Sequence, residues 1–130
     1  MALSREVIYD MLQADSNITD EIGTRAFMTY APSETTKPFL IYRTSVIDDT
    51  FTKDRTSTVH KHLVEIDIYH NTVKEAEALG RLIYNQLQGY SGTTSGNAVV
   101  TGCKFDREEQ DTDEDGWDMW TQDYEIIIVT

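Results

Sequence analysis

Cysteine, basic residues and long apolar stretches are all scarce in this sequence, and each scarcity excludes a class of protein. A single cysteine, Cys103, rules out an internal disulfide and fits a reducing compartment. The best apolar run, residues 126–129, falls far short of the roughly 18 apolar residues that a membrane span needs. The opening stretch MALSREVIYDML has no basic region followed by an apolar core, so we expect neither a signal peptide nor membrane association.

The charge balance is strongly acidic. Eleven Lys and Arg residues stand against 23 Asp and Glu residues, which gives a formal net charge of −12. Such a surface repels phosphate backbones and anionic lipid headgroups, so direct binding to either is disfavoured. A place near DNA is still compatible with this charge, because an acidic wall lets a polyanion pass without sticking.

Length and composition are those of a globular protein. The chain has 130 residues, of which 39% are hydrophobic and 26% are charged. That is long enough to bury a sizeable core and apolar enough to fill it. We therefore expect a single domain over residues 1–130.

Residues 63–88 organise the rest of the chain. Val64, Ile66 and Ile68 alternate with polar residues, which predicts a strand with one apolar face. Thr72 and Glu75 then match a capping box, which predicts the start of a helix. Apolar residues follow at helical spacing: Val73, Ala76, Leu79, Gly80, Ile83 and Leu87. This stripe has to pack against a sheet that contains the preceding strand.

The other segments supply the rest of that sheet and a second helix. We predict a helix over residues 3–13, one further turn over 18–22, a short and weakly patterned strand over 25–30, and strands over 39–46, 98–107 and 117–129. Residues 47–57 are either a loop or the outer end of a long hairpin, and residues 108–116 form an acidic turn. The order predicts an α+β fold: a four-stranded, mainly antiparallel sheet with two helices packed on one face.

The acidic turn contains the strongest match to a metal-binding pattern. Asp111, Asp113 and Asp115 occupy the first three ligand positions of a calcium loop, and Gly116 the glycine position. The twelfth position is Gln122, which cannot supply the bidentate carboxylate, and a strand pattern follows where the motif requires a helix. We therefore favour an exposed hairpin turn with Gly116 at positive φ, and keep the three aspartates as weak metal candidates.

The remaining reactive side chains fit structural roles better than catalytic ones. His60 and His62 share a strand face with the apolar residues but lack the further convergent ligands of a metal site. Glu65 and Asp67 also share a face, as paired glycosidase carboxylates do, yet nothing around them suggests a pocket. Cys103 fits a core position, and no glycine-rich phosphate loop is present. The sequence predicts a binding or structural protein without a cofactor, not an enzyme.

A series of short features runs in a fixed order along almost the whole chain. They are the helix REVIYDMLQAD, the segment IGTRAFMTYAP, the strand KPFLIYRTS and the final strand YEIIIV. The most telling piece is HLVEIDIYHNTVKEAEALGRLIYNQLQG, in which a strand ending in an aromatic residue leads into a helix with an EAxxL run at Glu75, Ala76 and Leu79. Together these features resemble the tail-completion or tail-terminator proteins of long-tailed bacteriophages.

The resemblance implies a structural virion protein of the tail or neck, present in the host cytoplasm during assembly. In this family the chain forms a ring, typically a homohexamer, at the head-proximal end of the tail tube. The ring ends tube polymerisation and then provides the surface that joins the head. The implied partners are further copies of the chain, the tail tube protein and a head-completion or neck protein, while genomic DNA passes through the lumen without specific binding.

The residues agree with this implication in two respects. A ring needs two different edges on one protomer, which an antiparallel sheet has, and six copies at −12 would give an acidic lumen through which DNA slides. Glu65 and Asp67, on the polar face of the sheet, are the lumen candidates. The interface candidates lie in the mixed-charge stretch before the organising strand: Asp48, Asp49, Phe51, Lys53, Asp54 and Arg55.

Two other functions compete with the tail terminator. Another ring protein of the neck, such as a head-completion or connector protein, would share the same features and differ only in its partner. A small calcium-binding interaction module would instead use Asp111, Asp113 and Asp115, which a calcium titration with thermal melting would reveal.

Overall fold

The computed structural model describes residues 4–51, 58–93 and 99–129, and over these ranges it shows three helices and six strands. In chain order they are α1 (Ser4–Gln13), α2 (Ser16–Ile22), β1 (Ala26–Met28), β2 (Phe39–Phe51), β3 (Thr58–Tyr69), α3 (Val73–Leu87), β4 (Gly92–Thr93), β5 (Val99–Thr112) and β6 (Asp118–Val129). Within the same ranges, no helix combines the length and apolar character that crossing a membrane requires.

The strands form one sheet in the order β1-β2-β3-β6-β5-β4. β1 runs parallel to β2, and the other neighbouring pairs are antiparallel. β2 and β3 form a long hairpin whose last described pair is Phe51 with Thr58. Of the two predictions for residues 47–57, the outer end of a hairpin is therefore the correct one as far as Phe51.

The helices pack on one face of the sheet and enclose the main core. α3 begins after Thr72, whose Oγ1 accepts a hydrogen bond from the Glu75 N–H at 3.1 Å. Its predicted stripe is buried at Ala76, Leu79, Gly80, Ile83 and Leu87. The strand residues beneath the helices are Leu40, Tyr42, Val64, Ile66, Ile68, Tyr124, Ile126 and Ile128. Removing these side chains from water is the main favourable contribution to folding.

The α+β class is confirmed, but the predicted count of four strands and two helices is wrong. β1 lies within the weakly patterned strand predicted over residues 25–30, which the count of four left out, and β4 has only two residues, too few for an alternating pattern to be visible. The further turn predicted over residues 18–22 is part of the additional helix, α2, which begins after Asp15. The Asp15 Oδ1 accepts a hydrogen bond from the Asn17 N–H at 2.8 Å, so this residue caps α2.

β5 is also longer than predicted. Residues 108–112, expected in the acidic turn, continue the strand, with Glu108 paired to Gln122 and Thr112 to Asp118. The sequence does not reveal this extension because polar side chains occupy both faces of the segment, so the alternation that marks a half-buried strand is missing.

Candidate functional site on the open face of the sheet

One face of the sheet carries no helix among the described residues, and we call it the open face. Because successive side chains of a strand point to opposite sides, every second residue of the long strands lies on it. Its central members are Arg43 of β2, Glu65 and Asp67 of β3, Thr121 and Asp123 of β6, and Arg107 and Glu109 of β5. The open face thus has a charged centre, and an apolar cluster lies at one end.

Four charged residues form a row across the charged centre. The register places Arg43 opposite Glu65, Glu65 opposite Asp123, and Asp123 opposite Arg107. Arg43 Nη1 lies 3.3 Å from Glu65 Oε1, and Arg107 Nε donates to Asp123 Oδ2 at 2.8 Å. The two cations at the ends of the row therefore offset the two carboxylates between them.

Asp67 is the most buried charge of the open face, with 2% of its surface exposed. Its Oδ2 accepts a hydrogen bond from Arg43 Nη1 at 2.7 Å, and its Oδ1 accepts one from Thr121 Oγ1 at 3.0 Å. The hydrogen bond to Asp67 raises the pKa of Arg43 above its ordinary value. Partial burial, followed by repulsion from Asp67, raises the pKa of Glu65. The centre of the face is a connected charge network.

The apolar end of the open face is a second, smaller core. It contains Phe39, Ile41, Tyr69 and Met119, with Phe27 and Ala31 packed against them. The rings of Phe39 and Tyr69 are stacked, with centroids 4.8 Å apart and planes inclined by 10°. The Tyr69 hydroxyl donates to Asp113 Oδ2 at 3.2 Å, which joins this cluster to the turn between β5 and β6.

Asp113 holds that turn together. Its Oδ1 accepts hydrogen bonds from the N–H groups of Asp115 at 3.0 Å and Trp117 at 2.9 Å. Gly116 has a φ of +82°, the left-handed conformation expected of a glycine in a hairpin turn. Asp111 Oδ1 accepts from the neighbouring Thr112 N–H at 2.8 Å. Over the described ranges, no group of three or more His, Cys, Asp or Glu side chains is placed to hold a metal ion.

A groove of about 290 Å³ lies between this turn and the segment before β2, and we call it the aromatic groove. Phe39, Ile41 and Tyr69 line it from the apolar cluster, and the other lining residues are Thr29, Tyr30, Ala31, Pro32, Glu34, Thr35, Asp113, Asp115 and Trp117. Tyr30 is 75% exposed and Trp117 is 46% exposed. Lys37 Nζ lies 3.7 Å from the centroid of the Trp117 ring, which is a cation–π contact.

Comparison with known proteins identifies the family. The sequence model of the family described as "Tail completion protein gp17" matches residues 6–129. The chain belongs to this tail-completion family. It is therefore a structural protein of the phage tail and not an enzyme, as the sequence features predict.

A solved structure agrees with the fold of this tail-completion protein. A chain from the structure titled "Virion of native gene transfer agent (GTA) particle" superposes with a TM-score of 0.71 at 17% sequence identity. The match covers 95% of the present chain and 92% of the other. At this identity the likeness shows the shared fold alone. No curated protein matches the sequence.

The predicted interface and lumen residues occupy different parts of the tail-completion fold. Glu65 and Asp67 both lie on the open face, where the Glu65 side chain is 45% exposed and that of Asp67 only 2%. The interface candidates Asp48, Asp49 and Phe51 lie in β2, at the hairpin end of the sheet. Lys53, Asp54 and Arg55 lie outside the described residues.

The histidines and the cysteine pack on the helix side of the sheet. His60 and His62 are buried, with ring centroids 5.9 Å apart, and continue the apolar face of β3 as predicted. Cys103 belongs to the main core, also as predicted. Burial raises the pKa of its thiol to about 12, so the group is un-ionised at neutral pH.

One buried polar cluster was missed at the sequence level. Gln122 is fully buried. Its Nε2 donates to the Gly80 carbonyl at 2.9 Å and to Glu108 Oε2 at 3.0 Å, and its Oε1 accepts from the Tyr124 hydroxyl at 2.9 Å. Trp120 Nε1 donates to the same Glu108 oxygen at 3.1 Å. The available signal was Gly80 itself, a glycine within the apolar stripe of a helix, which leaves room for a close neighbour.

Proposed function

We propose that this tail-completion protein forms a homohexameric ring at the head-proximal end of the tail tube, where it ends tube polymerisation and provides the surface that joins the head. Its partners are further copies of itself, the tail tube protein and a head-completion or neck protein. It meets them in the host cytoplasm during assembly. The observation that carries this proposal is a pair of unlike, incompletely covered sheet edges on one protomer.

The first of these edges belongs to β2. Its outer neighbour β1 pairs only with Leu40, Ile41 and Tyr42. From Arg43 to Phe51, no described strand lies along the outer side of β2. The backbone N–H and C=O groups on that side favour pairing with a strand of another chain.

The second edge belongs to β5. Its outer neighbour β4 pairs only with Val99 and Val100, and the Gly89 N–H then donates to the Cys103 carbonyl at 2.8 Å. From Asp106 to Thr112, the outer side of β5 likewise has no described strand beside it. A contact between the β2 edge of one copy and the β5 edge of the next would be head-to-tail, which is the kind of contact that closes a ring.

The positions and directions of the two edges suit a closed ring. β2 and β5 run in opposite directions, so they would meet as an antiparallel pair. The uncovered part of β2 lies beside the first half of β3, whereas that of β5 lies level with the second half of β3. Neighbouring copies would therefore be offset along the strands by roughly 18 Å. A closed sheet of tilted strands requires such a stagger.

In this ring the open face would line the lumen, since the helices occupy the other face. Glu65 then presents its carboxylate to passing DNA, while Arg43 compensates the charge of Asp67. Carboxylates and cations offset one another on this face, so DNA meets neither a strong attraction nor a specific site. We place contacts with the tube or neck at the hairpin end, with Asp48, Asp49, Phe51, Lys53, Asp54 and Arg55 as candidates.

Solution mass is the decisive test. Light scattering at several concentrations, at low and moderate salt, should give the mass of six protomers. Addition of purified tail tube protein should then yield complexes in which tubes of defined length are capped at one end. A protein that stays monomeric alone and in the presence of tubes would contradict the proposal. A ring that binds only the head-completion protein would instead indicate another neck component.

A further inference from the structure

The aromatic groove and the β2–β3 hairpin end lie at opposite ends of the sheet. Phe39 pairs with Tyr69 beside the groove, while Phe51 pairs with Thr58 at the hairpin end. Along the 12 residues of β3 these positions are separated by roughly 36 Å. In a ring closed through the edges of β2 and β5, the strands run from one rim to the other. The groove therefore lies on one rim and the hairpin end on the opposite rim.

The walls of the groove expose two large aromatic side chains to solvent. Tyr30 and Trp117 are both large and substantially exposed, although other aromatic side chains nearby, such as Phe39 and Tyr69, are buried. The segment carrying Tyr30 also contains Thr29 with φ +73° and Glu34 with φ +62°. Left-handed backbone at a non-glycine residue is strained, and such strain is concentrated at binding sites.

Carboxylates surround this aromatic surface. Glu34, Asp113 and Asp115 line the groove. The contact between Lys37 and Trp117 shows that a cation already lies over one of the aromatic walls. An occupant complementary to this surface carries an apolar side chain for the gap between Tyr30 and Trp117 and a cation for the carboxylates.

We propose that the aromatic groove docks a segment of an adjoining virion protein that presents an apolar side chain next to a lysine or arginine. This inference rests on the proposed ring, because the ring turns the groove end of every copy towards the same neighbour. A second copy of the chain is the wrong occupant for a terminator. All copies in the ring turn their grooves to the same rim, so a groove that docked another copy would stack ring upon ring instead of ending the tube.

Two groove variants test the proposal without disturbing the core. Tyr30→Ser removes an aromatic side chain that is 75% exposed. Glu34→Lys combined with Asp115→Lys reverses the charge of the groove, while Asp113 is left unchanged because it caps the turn. The matched control is Asp20→Lys combined with Glu77→Lys. It changes the net charge by the same amount on α2 and α3, away from the groove.

The readouts are ring mass by light scattering and affinity for two separate probes, purified tail tube protein and purified head-completion protein. We expect both groove variants to keep the wild-type mass and to bind one probe more than about tenfold more weakly, with the control like wild type. Wild-type affinity of the groove variants for both probes would overturn the inference.

Changes in mass separate this inference from the ring itself. Loss of ring mass in the groove variants alone would show that the groove contacts another copy, which overturns the proposed occupant and leaves the ring standing. If the wild-type protein forms stacked rings and the groove variants do not, this would also show that the groove contacts another copy. If the wild-type protein forms no ring at all, the proposed function is contradicted. The groove is then tested on the monomer: weaker binding of the groove variants to one probe supports the inference, and wild-type affinity for both probes overturns it.

Discussion

The side-chain amide of Gln122 donates a hydrogen bond to the main-chain carbonyl of Gly80 across 2.9 Å, and this bond fastens β6 to α3 inside the core. The approach is so close because residue 80 has no side chain. A Cβ built at Gly80 would lie 3.0 Å from both Gln122 Nε2 and Trp120 Cδ1. A buried amide with satisfied partners holds the helix at one position over the sheet, whereas apolar contacts alone tolerate sliding.

Gly80→Ala should therefore destabilise the protein although alanine is the better helix former. Overpacking against Trp120 and Gln122 costs about 1 to 3 kcal/mol, which exceeds the gain of about 1 kcal/mol in helix propensity. Urea unfolding should show a lower free energy of unfolding. Gly102→Ala is the matched control, since no heavy atom lies within 4 Å of its added Cβ, and it should be nearly neutral. A Gly80→Ala protein more stable than wild type would contradict the packing.

Asp67→Ala should cost more stability than Glu65→Ala, although the two acids lie two residues apart on the same strand. Removal of the Asp67 carboxylate leaves Arg43 and Thr121 without their partner and should lower the free energy of unfolding by about 2 kcal/mol. This value is lower than the cost of breaking a fully buried ion pair, because Arg43 is half-exposed and water screens its interaction with Asp67. Glu65→Ala should change the free energy of unfolding by less than about 1 kcal/mol. Equal losses in the two variants would contradict the hydrogen-bond network around Asp67.

Glu65 should make stability depend on pH in a defined direction. Its pKa is raised in the folded state, so the folded chain keeps the proton to higher pH than the unfolded chain. The contribution of Glu65 to the free energy of unfolding is therefore fully present below the ordinary Glu pKa of about 4.3, and it is lost as the pH rises from there through the raised pKa. Glu65→Gln should remove this decline in thermal unfolding curves. The melting temperatures of the wild type and Glu65→Gln should differ most near neutral pH. A difference that grows towards acidic pH would contradict the raised pKa of Glu65.

Cys103 should be inert to thiol reagents in the folded protein. Burial raises its pKa to about 12 and excludes the reagent, so labelling at about pH 8 should be on the order of a hundredfold or more slower than in denaturant. The unfolded chain under the same reagent serves as the control. Rapid, stoichiometric labelling of the folded protein would show that the β5 edge opens at this residue.

Calcium should leave the melting temperature unchanged at millimolar concentration. Both carboxylate oxygens of Asp113 already accept hydrogen bonds, one from Tyr69 and the other from the turn backbone. Asp113→Ala should lower the free energy of unfolding by about 1 to 2 kcal/mol with or without calcium, because the turn loses its cap. A clear upward shift of the wild-type melting temperature on adding calcium would restore the aspartates as a metal site.

Local patterns in the sequence were sufficient for the long elements. The alternation from Val64 to Ile68 predicted β3, and Thr72 with the apolar stripe after it predicted α3 and its buried face. Two parts of the sheet escaped this approach, whereas β1 lies within the weakly patterned strand predicted over residues 25–30. β4 is too short to show a period, and the extension of β5 carries polar residues on both faces. Their strand character comes from pairing with a neighbour, which a local pattern does not encode.

The candidate site shows the same division. Glu65 and Asp67 were placed correctly on one strand face, because that depends only on alternation along β3. The sequence did not predict that Asp67 is buried between Arg43 and Thr121 while Glu65 remains half-exposed. Partners on β2 and β6 decide that difference. The aromatic groove depends on long-range packing too, since Tyr30 and Trp117 come from distant parts of the chain.

The sequence by itself determined the class of the protein: its acidic charge, its α+β elements and the ordered features of the tail-completion family. These depend on composition and on periods of two and 3.6 residues, which are local properties. The tertiary structure alone decided which edges stay uncovered, how Gln122 reaches Gly80 and where the aromatic groove lies. Each of these requires residues distant in sequence to meet at a particular register, and register is fixed only when the whole sheet and its helices pack together.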